Sequence, residues 1–92
     1  MIKDSIYNEN EYRYNSLDYT IGDEFIVLTN IDGQDCYTIG TVDLITITRE
    51  EVVYCIEGSS KNIRKNEIMP NNRTSREFLQ NNNYIYIEPY QL

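Results

Sequence analysis

The segment 37–57 constrains the fold of this chain most strongly, because it contains most of the densely apolar sequence. Within it, residues 39–48 read Ile-Gly-Thr-Val-Asp-Leu-Ile-Thr-Ile-Thr, where β-branched side chains dominate and Asp43 carries the charge. This composition is typical of a half-buried β-strand. The polar triplet at 49–51 and the apolar run at 52–56 then predict a turn and a returning strand. The segment is therefore expected to form one long β-hairpin.

The alternation of apolar residues in the first strand of this hairpin is interrupted. Val42 and Leu44 share one face of a regular strand, whereas Ile45 and Ile47 share the other. A β-bulge near Leu44 and Ile45 would restore a single buried face and would bend the strand strongly. The alternative is a regular strand that is buried on both faces.

Length and composition indicate one small folded domain. The chain has 92 residues, which is the size of a single domain, and its hydrophobic content of 40% argues against disorder. Residues 1–18 are polar and rich in tyrosine, which predicts a weakly ordered N-terminal arm or a short helix. Residues 19–92 are predicted to form the single domain.

The same composition predicts a soluble, cytoplasmic protein that does not associate with membranes. No stretch approaches the ~20 apolar residues of a membrane span, and the N-terminus lacks the apolar core of a secretory signal. Cys36 and Cys55 lie in or beside predicted strands. In a reducing compartment we expect them to be free thiols that fill small spaces in the core.

Turn-forming residues predict a second hairpin before the first. Gly22-Asp23 precedes an apolar strand at 24–29, and Asp32-Gly33 follows that strand. An Asp-Gly pair between apolar strands is a strong signal for a tight hairpin turn. This turn is expected to lead into the strand that starts near Cys36.

Two shorter strands are predicted in the last third of the chain. Residues 60–70 favour a short strand that ends in a single helical turn, stopped by Pro70. Residues 84–88 alternate between apolar and polar side chains, which predicts a last strand closed by Pro89.

One helix is predicted between these strands. Thr74 and Glu77 have the spacing of a capping box, in which each side chain bonds the backbone N–H of the other residue. We therefore expect a helix over 75–81 that buries Phe78 and Leu79.

These elements resemble a small SH3-like barrel. That family is similar in having a Gly-Asp pair before its first strand, a strongly bent central strand and a helical turn before a closing strand. Here these features correspond to Gly22-Asp23, to the strand around Gly40 and to residues 66–70. The resemblance covers about residues 19–70 and implies a mainly β fold, a strongly bent antiparallel SH3-like barrel with one short helix. Small proteins of Gram-positive bacteria and their phages are similar to this layout.

The residue types present disfavour catalysis. The chain has no histidine, so a Ser-His-Asp triad and a Cys-His pair are excluded. Two cysteines without histidine also cannot form the common zinc sites. Its four glycines are isolated, so no glycine-rich phosphate loop is present. We expect a protein without enzymatic activity and without a metal or other cofactor.

Charge favours a role in protein binding. The net charge of −7 divides into −9 over residues 1–57 and +2 over residues 58–92. Carboxylates on a rigid β-scaffold can imitate a phosphate backbone and bind a basic, nucleic-acid-binding surface of a host protein. Small acidic phage proteins of the anti-CRISPR or anti-restriction type are similar in this respect. Exposed tyrosines also suit contact surfaces. The predicted contact residues are Glu9, Glu11, Tyr12, Tyr14, Asp32, Asp35, Glu50 and Glu51.

The alternative function is direct binding of nucleic acid by an SH3-like domain. The segment 61–76 contains most of the chain's basic residues, and some SH3-like barrels bind RNA or DNA. The overall negative charge opposes this alternative, because phosphates would be repelled at long range. The basic residues concerned are Lys61, Arg64, Lys65, Arg73 and Arg76.

Overall fold

The computed structural model describes residues 17–92, and in this range the predicted mainly β fold is confirmed. All but the last two residues of the predicted N-terminal arm lie outside the described range. The strands are β1 (Glu24–Ile31), β2 (Gln34–Ile47), β3 (Val52–Ile56), β4 (Ile63–Arg64), β5 (Ile68–Pro70) and β6 (Ile85–Tyr86). The α-helix α1 spans Arg73–Asn81, and 3-10 turns cover Lys65–Glu67 and Pro89–Gln91. Within this range, no helix is both long enough and apolar enough to cross a membrane.

The strands form one bent sheet in the order β4-β3-β2-β1-β5, with antiparallel neighbours. The short β6 adds to β2 in the parallel direction. β2 is the strand shared by the whole sheet, because its first half pairs with β1 and its second half pairs with β3. β4 and β5 lie at the two ends of this order and do not pair with each other, so strand pairing leaves the sheet open.

The bend in β2 is produced by a bulge, which is the first of the two alternatives that the interrupted alternation leaves open. The register with β3 shifts between Val42 and Leu44, which leaves Asp43 as the additional residue. Leu44 is therefore turned outward and is 55% exposed, whereas Ile45 packs against the core. The bulge lies one residue earlier than expected. Because of it, Val42 before the bend and Ile45 after it both face the core.

The predicted Asp-Gly hairpin is confirmed. Asp32 and Gly33 have φ values of 52° and 86°, as a type I′ turn requires, and the turn connects Ile31 directly to Gln34. Both strands consequently extend closer to the turn than the sequence pattern indicates.

The core lies between the two halves of the bent sheet. Phe25 and Val27 of β1 are fully buried there, and they pack in one cluster with Val42, Tyr54, Ile56 and Ile63. Phe25 makes edge-on ring contacts with Tyr54 and with Tyr19. Tyr19 thereby attaches the chain before β1 to the core.

The opposite face of β1 is also buried, and α1 explains why. Ile26 is 0% exposed and lies beside Ile39 of β2 on this face. A cleft of about 340 Å³ is lined by Ile39 together with Leu79 of α1, which places the helix over this part of the sheet. This part of the sheet therefore lies between the core and the helix.

The start of α1 differs from the predicted capping box. The N-cap is Asn72, whose Oδ1 accepts a hydrogen bond from the backbone N–H of Ser75 at 2.9 Å. The prediction of a Thr74 cap is wrong, and Glu77 instead pairs with Arg73 at 3.0 Å. Asn72 has extended backbone angles and a side chain suited to capping, so the helix begins before Thr74 is reached.

The prediction that Phe78 is buried is also wrong. The buried residues of α1 are Ser75 and Leu79, which lie four positions apart and so share one face of the helix. Phe78 is rotated by about 100° from Leu79 and is 41% exposed. Its ring packs instead on Tyr84, with 5.7 Å between the ring centroids.

Two strand predictions near prolines need correction. Pro70 does not stop the helical turn, because Ile68–Pro70 forms a strand that pairs with Phe25–Val27 of β1. The expected strand 84–88 is reduced to Ile85–Tyr86, and Pro89 begins a 3-10 turn. In both places proline lies at the end of an element, where its missing N–H is tolerated.

Candidate protein-binding surface

The predicted contact residues do not form one cluster. Four of them, Glu9, Glu11, Tyr12 and Tyr14, lie outside the described residues. The other four, Asp32, Asp35, Glu50 and Glu51, lie in or beside the turns at the two ends of β2. β2 has 14 residues, so these turns are separated by a path of roughly 45 Å along the strand.

The turn between β1 and β2 presents two exposed carboxylates, those of Asp32 and Asp35. Asn30 holds this turn in place, because its Nδ2 donates to Oδ1 of Asp35 at 2.9 Å. Its Oδ1 accepts the backbone N–H of Gly33 at 3.0 Å. Neither carboxylate forms an ion pair within residues 17–92. The turn therefore carries two uncompensated negative charges on a well-defined backbone.

The turn between β2 and β3 presents one such carboxylate instead of the two expected. Glu50 is exposed, but Glu51 is half-buried and bonds Nε of Arg64 at 2.9 Å. The hydrogen bond that Arg64 donates to Glu51, and then the negative charge of Glu51, raise the pKa of Arg64. Thr48 closes the turn, since its backbone N–H donates to the carbonyl oxygen of Glu51 at 2.9 Å. Glu51 is thus neutralised within the fold.

The bend of the sheet brings together two further carboxylates that the sequence analysis missed. Glu24 is the partner of Thr41 in the β1–β2 ladder. On the other side, the backbone N–H of Glu57 donates to the carbonyl oxygen of Thr41 at 2.9 Å. Directly opposed residues share a face, and neighbouring strands are about 4.8 Å apart. Glu24 and Glu57 therefore lie on one face about 10 Å apart at their Cα atoms.

Both of these glutamates are exposed, and neither forms an ion pair among the described residues. The 3-10 turn that follows Glu88 also approaches this region. Pro89 Cβ lies 3.6 Å from the position that a Cβ on Gly58 would occupy. The sequence could have indicated this pair only through the register of the β2–β3 hairpin. Glu57 falls opposite Thr41 in that register only if the bulge adds one residue to β2.

Most of the basic residues are engaged in ion pairs. Four of the five basic residues in the segment 61–76 contact a carboxylate within 4 Å, namely in Lys61–Glu67, Arg64–Glu51, Lys65–Asp18 and Arg73–Glu77. Lys61–Glu67 is the least exposed of these pairs. Partial burial alone raises the pKa of Glu67, but hydrogen bonds from Lys61 and from the backbone of Arg64 outweigh it, and the net pKa is lowered. The basic segment is thus largely neutralised by the fold itself.

The cleft between α1 and the sheet is lined mainly by aromatic, apolar and amide side chains. Among the described residues its lining includes Tyr37, Tyr84, Arg76 and Gln80, but no carboxylate or thiol. Within residues 17–92, no group of three or more acidic or cysteine side chains is placed to hold a metal ion. Carboxylates along β2, rather than the cleft, therefore define the candidate surface.

We use the name acidic surface for five of the exposed carboxylates that form no ion pair within residues 17–92: Glu24, Asp32, Asp35, Glu50 and Glu57. Asp35 lies in β2, and Asp32 and Glu50 lie in the turns at its ends. Glu24 begins β1 and Glu57 follows β3, and both lie beside Thr41 of β2. Comparison of the chain with protein-family models, with curated proteins and with solved structures finds no match. The acidic surface is defined by the residues of this chain alone.

Proposed function

We propose that this protein is a non-enzymatic binding module whose acidic surface occupies a basic, nucleic-acid-binding surface of a partner protein. The observation that carries the proposal is the set of five exposed carboxylates on and beside β2 that form no ion pair within residues 17–92, whereas four of the six basic residues in this range are paired with other carboxylates. Because these charges are not compensated locally, their field extends to a cationic partner. A phage-encoded inhibitor of a host defence protein, of the anti-CRISPR or anti-restriction type, fits this description.

The strand order supports the same family of folds that the sequence resembles. An SH3-like barrel is consistent with the order β4-β3-β2-β1-β5 and with the 3-10 turn between β4 and β5. The bulge at Asp43 bends the shared strand in the way that such a barrel needs. In this proposal the fold serves as a scaffold, and binding depends on the side chains it displays.

If the acidic surface acts through its charge, its effect should be measurable mainly in the rate at which the two proteins associate. Exposed charges contribute little to the stability of a contact, typically below about 1 kcal/mol each. They contribute more to the association rate, because opposite potentials guide the two proteins together. The rate and its dependence on salt are therefore the expected signatures of the acidic surface.

Direct binding of nucleic acid is less well supported. Residues 17–92 contain twelve acidic and six basic side chains, so a phosphate backbone would be repelled at long range. Four of the five basic residues in the segment 61–76 would also have to leave an ion pair in order to contact phosphate. Gel mobility shift with single- and double-stranded DNA and RNA at low salt distinguishes the two functions. A shift caused by this protein alone supports the nucleic-acid alternative.

The test of the proposal compares two variants that carry the same net charge. E24Q/E57Q removes two carboxylates of the acidic surface, whereas E51Q/E77Q removes two that are already in ion pairs. Immobilised protein captures partners from nuclease-treated host lysate at about 0.1 M salt, and about 1 M salt elutes them.

We expect the captured partner to bind nucleic acid, to be lost with E24Q/E57Q and to be retained with E51Q/E77Q. Equal capture by both variants, or capture that persists at about 1 M salt, would contradict a function for the acidic surface. Thermal unfolding of both variants, followed by circular dichroism, confirms that each is folded.

A further inference from the structure

Within residues 17–92, the second half of β2 has an open edge. Residues 44–47 pair with β3 on one side. On the other side, the ladder with β1 ends at Glu24 and Thr41, and the last backbone bond is from Gly22 N–H to the carbonyl oxygen of Val42, at 2.8 Å. Beyond that point no strand among residues 17–92 covers the edge. An open edge exposes backbone groups that can pair with another chain.

The groups that point outward from this edge are identified by the bonds on the inner side. Thr48 donates its backbone N–H to Glu51 across the turn, at 2.9 Å. In an antiparallel ladder alternate residues bond to the same neighbour, so Thr46 also bonds to β3. The N–H and C=O groups of Ile45 and Ile47 therefore point to the open side.

The residues along this edge favour pairing. Residues 44–48 read Leu-Ile-Thr-Ile-Thr, which is uncharged and rich in β-branched side chains. Leu44 is 55% exposed. The edge also lacks the lysine, proline or inward charge that natural edge strands use to prevent association. Charges occur at its two ends only, with Asp43 on one side and Arg49 on the other.

We propose that two copies of this chain associate through this edge as an antiparallel, twofold-symmetric dimer in which Thr46 faces Thr46 of the second copy. In this register Ile45 of each copy lies opposite Ile47 of the other. Each such pair exchanges two N–H···O bonds, so the dimer gains four backbone hydrogen bonds. Asp43 of each copy then lies opposite Arg49 of the other.

Charge complementarity selects this register and this occupant. Asp43 and Arg49 are both exposed, and neither forms an ion pair within residues 17–92. A dimer centred on Ile45 would place Asp43 opposite Ile47. A dimer centred on Ile47 would place Asp43 opposite Glu51, which is repulsive.

In the segment 43–49, Asp43 and Arg49 lie at equal distances from Thr46 and have opposite charges. A second antiparallel copy of this segment therefore matches it, which favours a second copy over an unrelated peptide. An edge this short buries an area at the low end for specific complexes, so the dimer is expected to be weak and concentration-dependent.

The test uses the full-length protein and charge-reversed variants. In D43R, and separately in R49D, both pairs of the dimer become like-charged. Each variant alone should be monomeric, with a dissociation constant raised at least about tenfold. An equimolar mixture of D43R with R49D should restore the dimer, because every opposed pair in the mixed dimer is again of opposite charge. The double variant D43R/R49D should dimerise alone for the same reason.

Sedimentation equilibrium over a range of protein concentrations measures all five samples. A wild-type protein that stays monomeric up to about millimolar concentration overturns the proposal. Dimerisation of D43R or R49D to the same extent as the wild type also overturns it, as does failure of the mixture to associate. Circular dichroism and thermal unfolding of each variant establish that loss of association is not loss of folding.

Discussion

Gly40 of β2 lies directly against Ile56 of β3, with no room for a side chain between them. A Cβ on Gly40 would clash with Cδ1 of Ile56 and would lie 2.7 Å from its Cγ2 and 2.8 Å from its Cβ. Ile56 is 1% exposed and belongs to the core cluster, so it has little freedom to move. This contact lies next to the bulge, where β2 passes from pairing with β1 to pairing with β3.

Substitution of Gly40 by alanine is therefore expected to destabilise the fold. Overpacking of a filled core typically costs about 1–3 kcal/mol, and urea unfolding of G40A should show a loss in this range. The double variant G40A/I56V removes the atom closest to the new methyl group, so it should be less destabilised than the sum of the single changes. Wild-type stability of G40A would contradict the close contact.

Substitution of Thr38 by valine is expected to stabilise the protein. Thr38 is 0% exposed, and its Oγ1 has no hydrogen-bond partner among residues 17–92. An unsatisfied buried hydroxyl costs about 1–3 kcal/mol, whereas valine has nearly the same shape and no polar atom. T38V should raise the free energy of unfolding by about 1 kcal/mol. T41V, at a half-buried position in the same strand, is the control and should change it by less than about 0.5 kcal/mol.

The cap of α1 provides a direct comparison between two neighbouring residues. N72A removes the acceptor for the N–H of Ser75 and should lower the free energy of unfolding by about 1 kcal/mol. T74A removes a side chain without a capping role and should have almost no effect. A larger loss of stability in T74A than in N72A would contradict the Asn72 cap and would support the capping box that the sequence pattern predicts.

Glu67 should contribute to the pH dependence of stability. Its pKa in the folded protein is lowered from the ordinary value of 4.5. The stability it contributes is therefore fully present above the unfolded-state pKa and is lost as the pH falls through the folded-state pKa. Wild type should be more stable than E67Q at pH 7, and this difference should disappear in acid. E77Q, in a more exposed pair, should show a smaller difference at pH 7.

Local chemistry made part of this fold predictable. The Asp32-Gly33 turn depends on backbone conformations that glycine and aspartate favour, so two residues were enough to predict it. The bulge was predictable because Val42 and Ile45 cannot face the same side of a regular strand. Both features are determined within a few residues of the chain.

Features that depend on distant pairing were not predictable in the same way. Phe78 has an apolar side chain, but it is exposed because the packing of α1 beside β2 determines which face of the helix is buried. The pairing of Glu24 and Glu57 around Thr41 requires the register of three strands at once. The ion pair of Glu51 with Arg64 likewise requires β4 to lie beside β3. Single-sequence patterns do not contain this information.

Competition for the captured partner tests the central claim most directly. The partner is bound to a fluorescent duplex, and this protein is added while fluorescence anisotropy is followed. The account predicts that the duplex is released, that E24Q/E57Q needs a higher concentration to release it, and that E51Q/E77Q acts like the wild type. A stable ternary complex, in which the partner holds the duplex and this protein together, would contradict it.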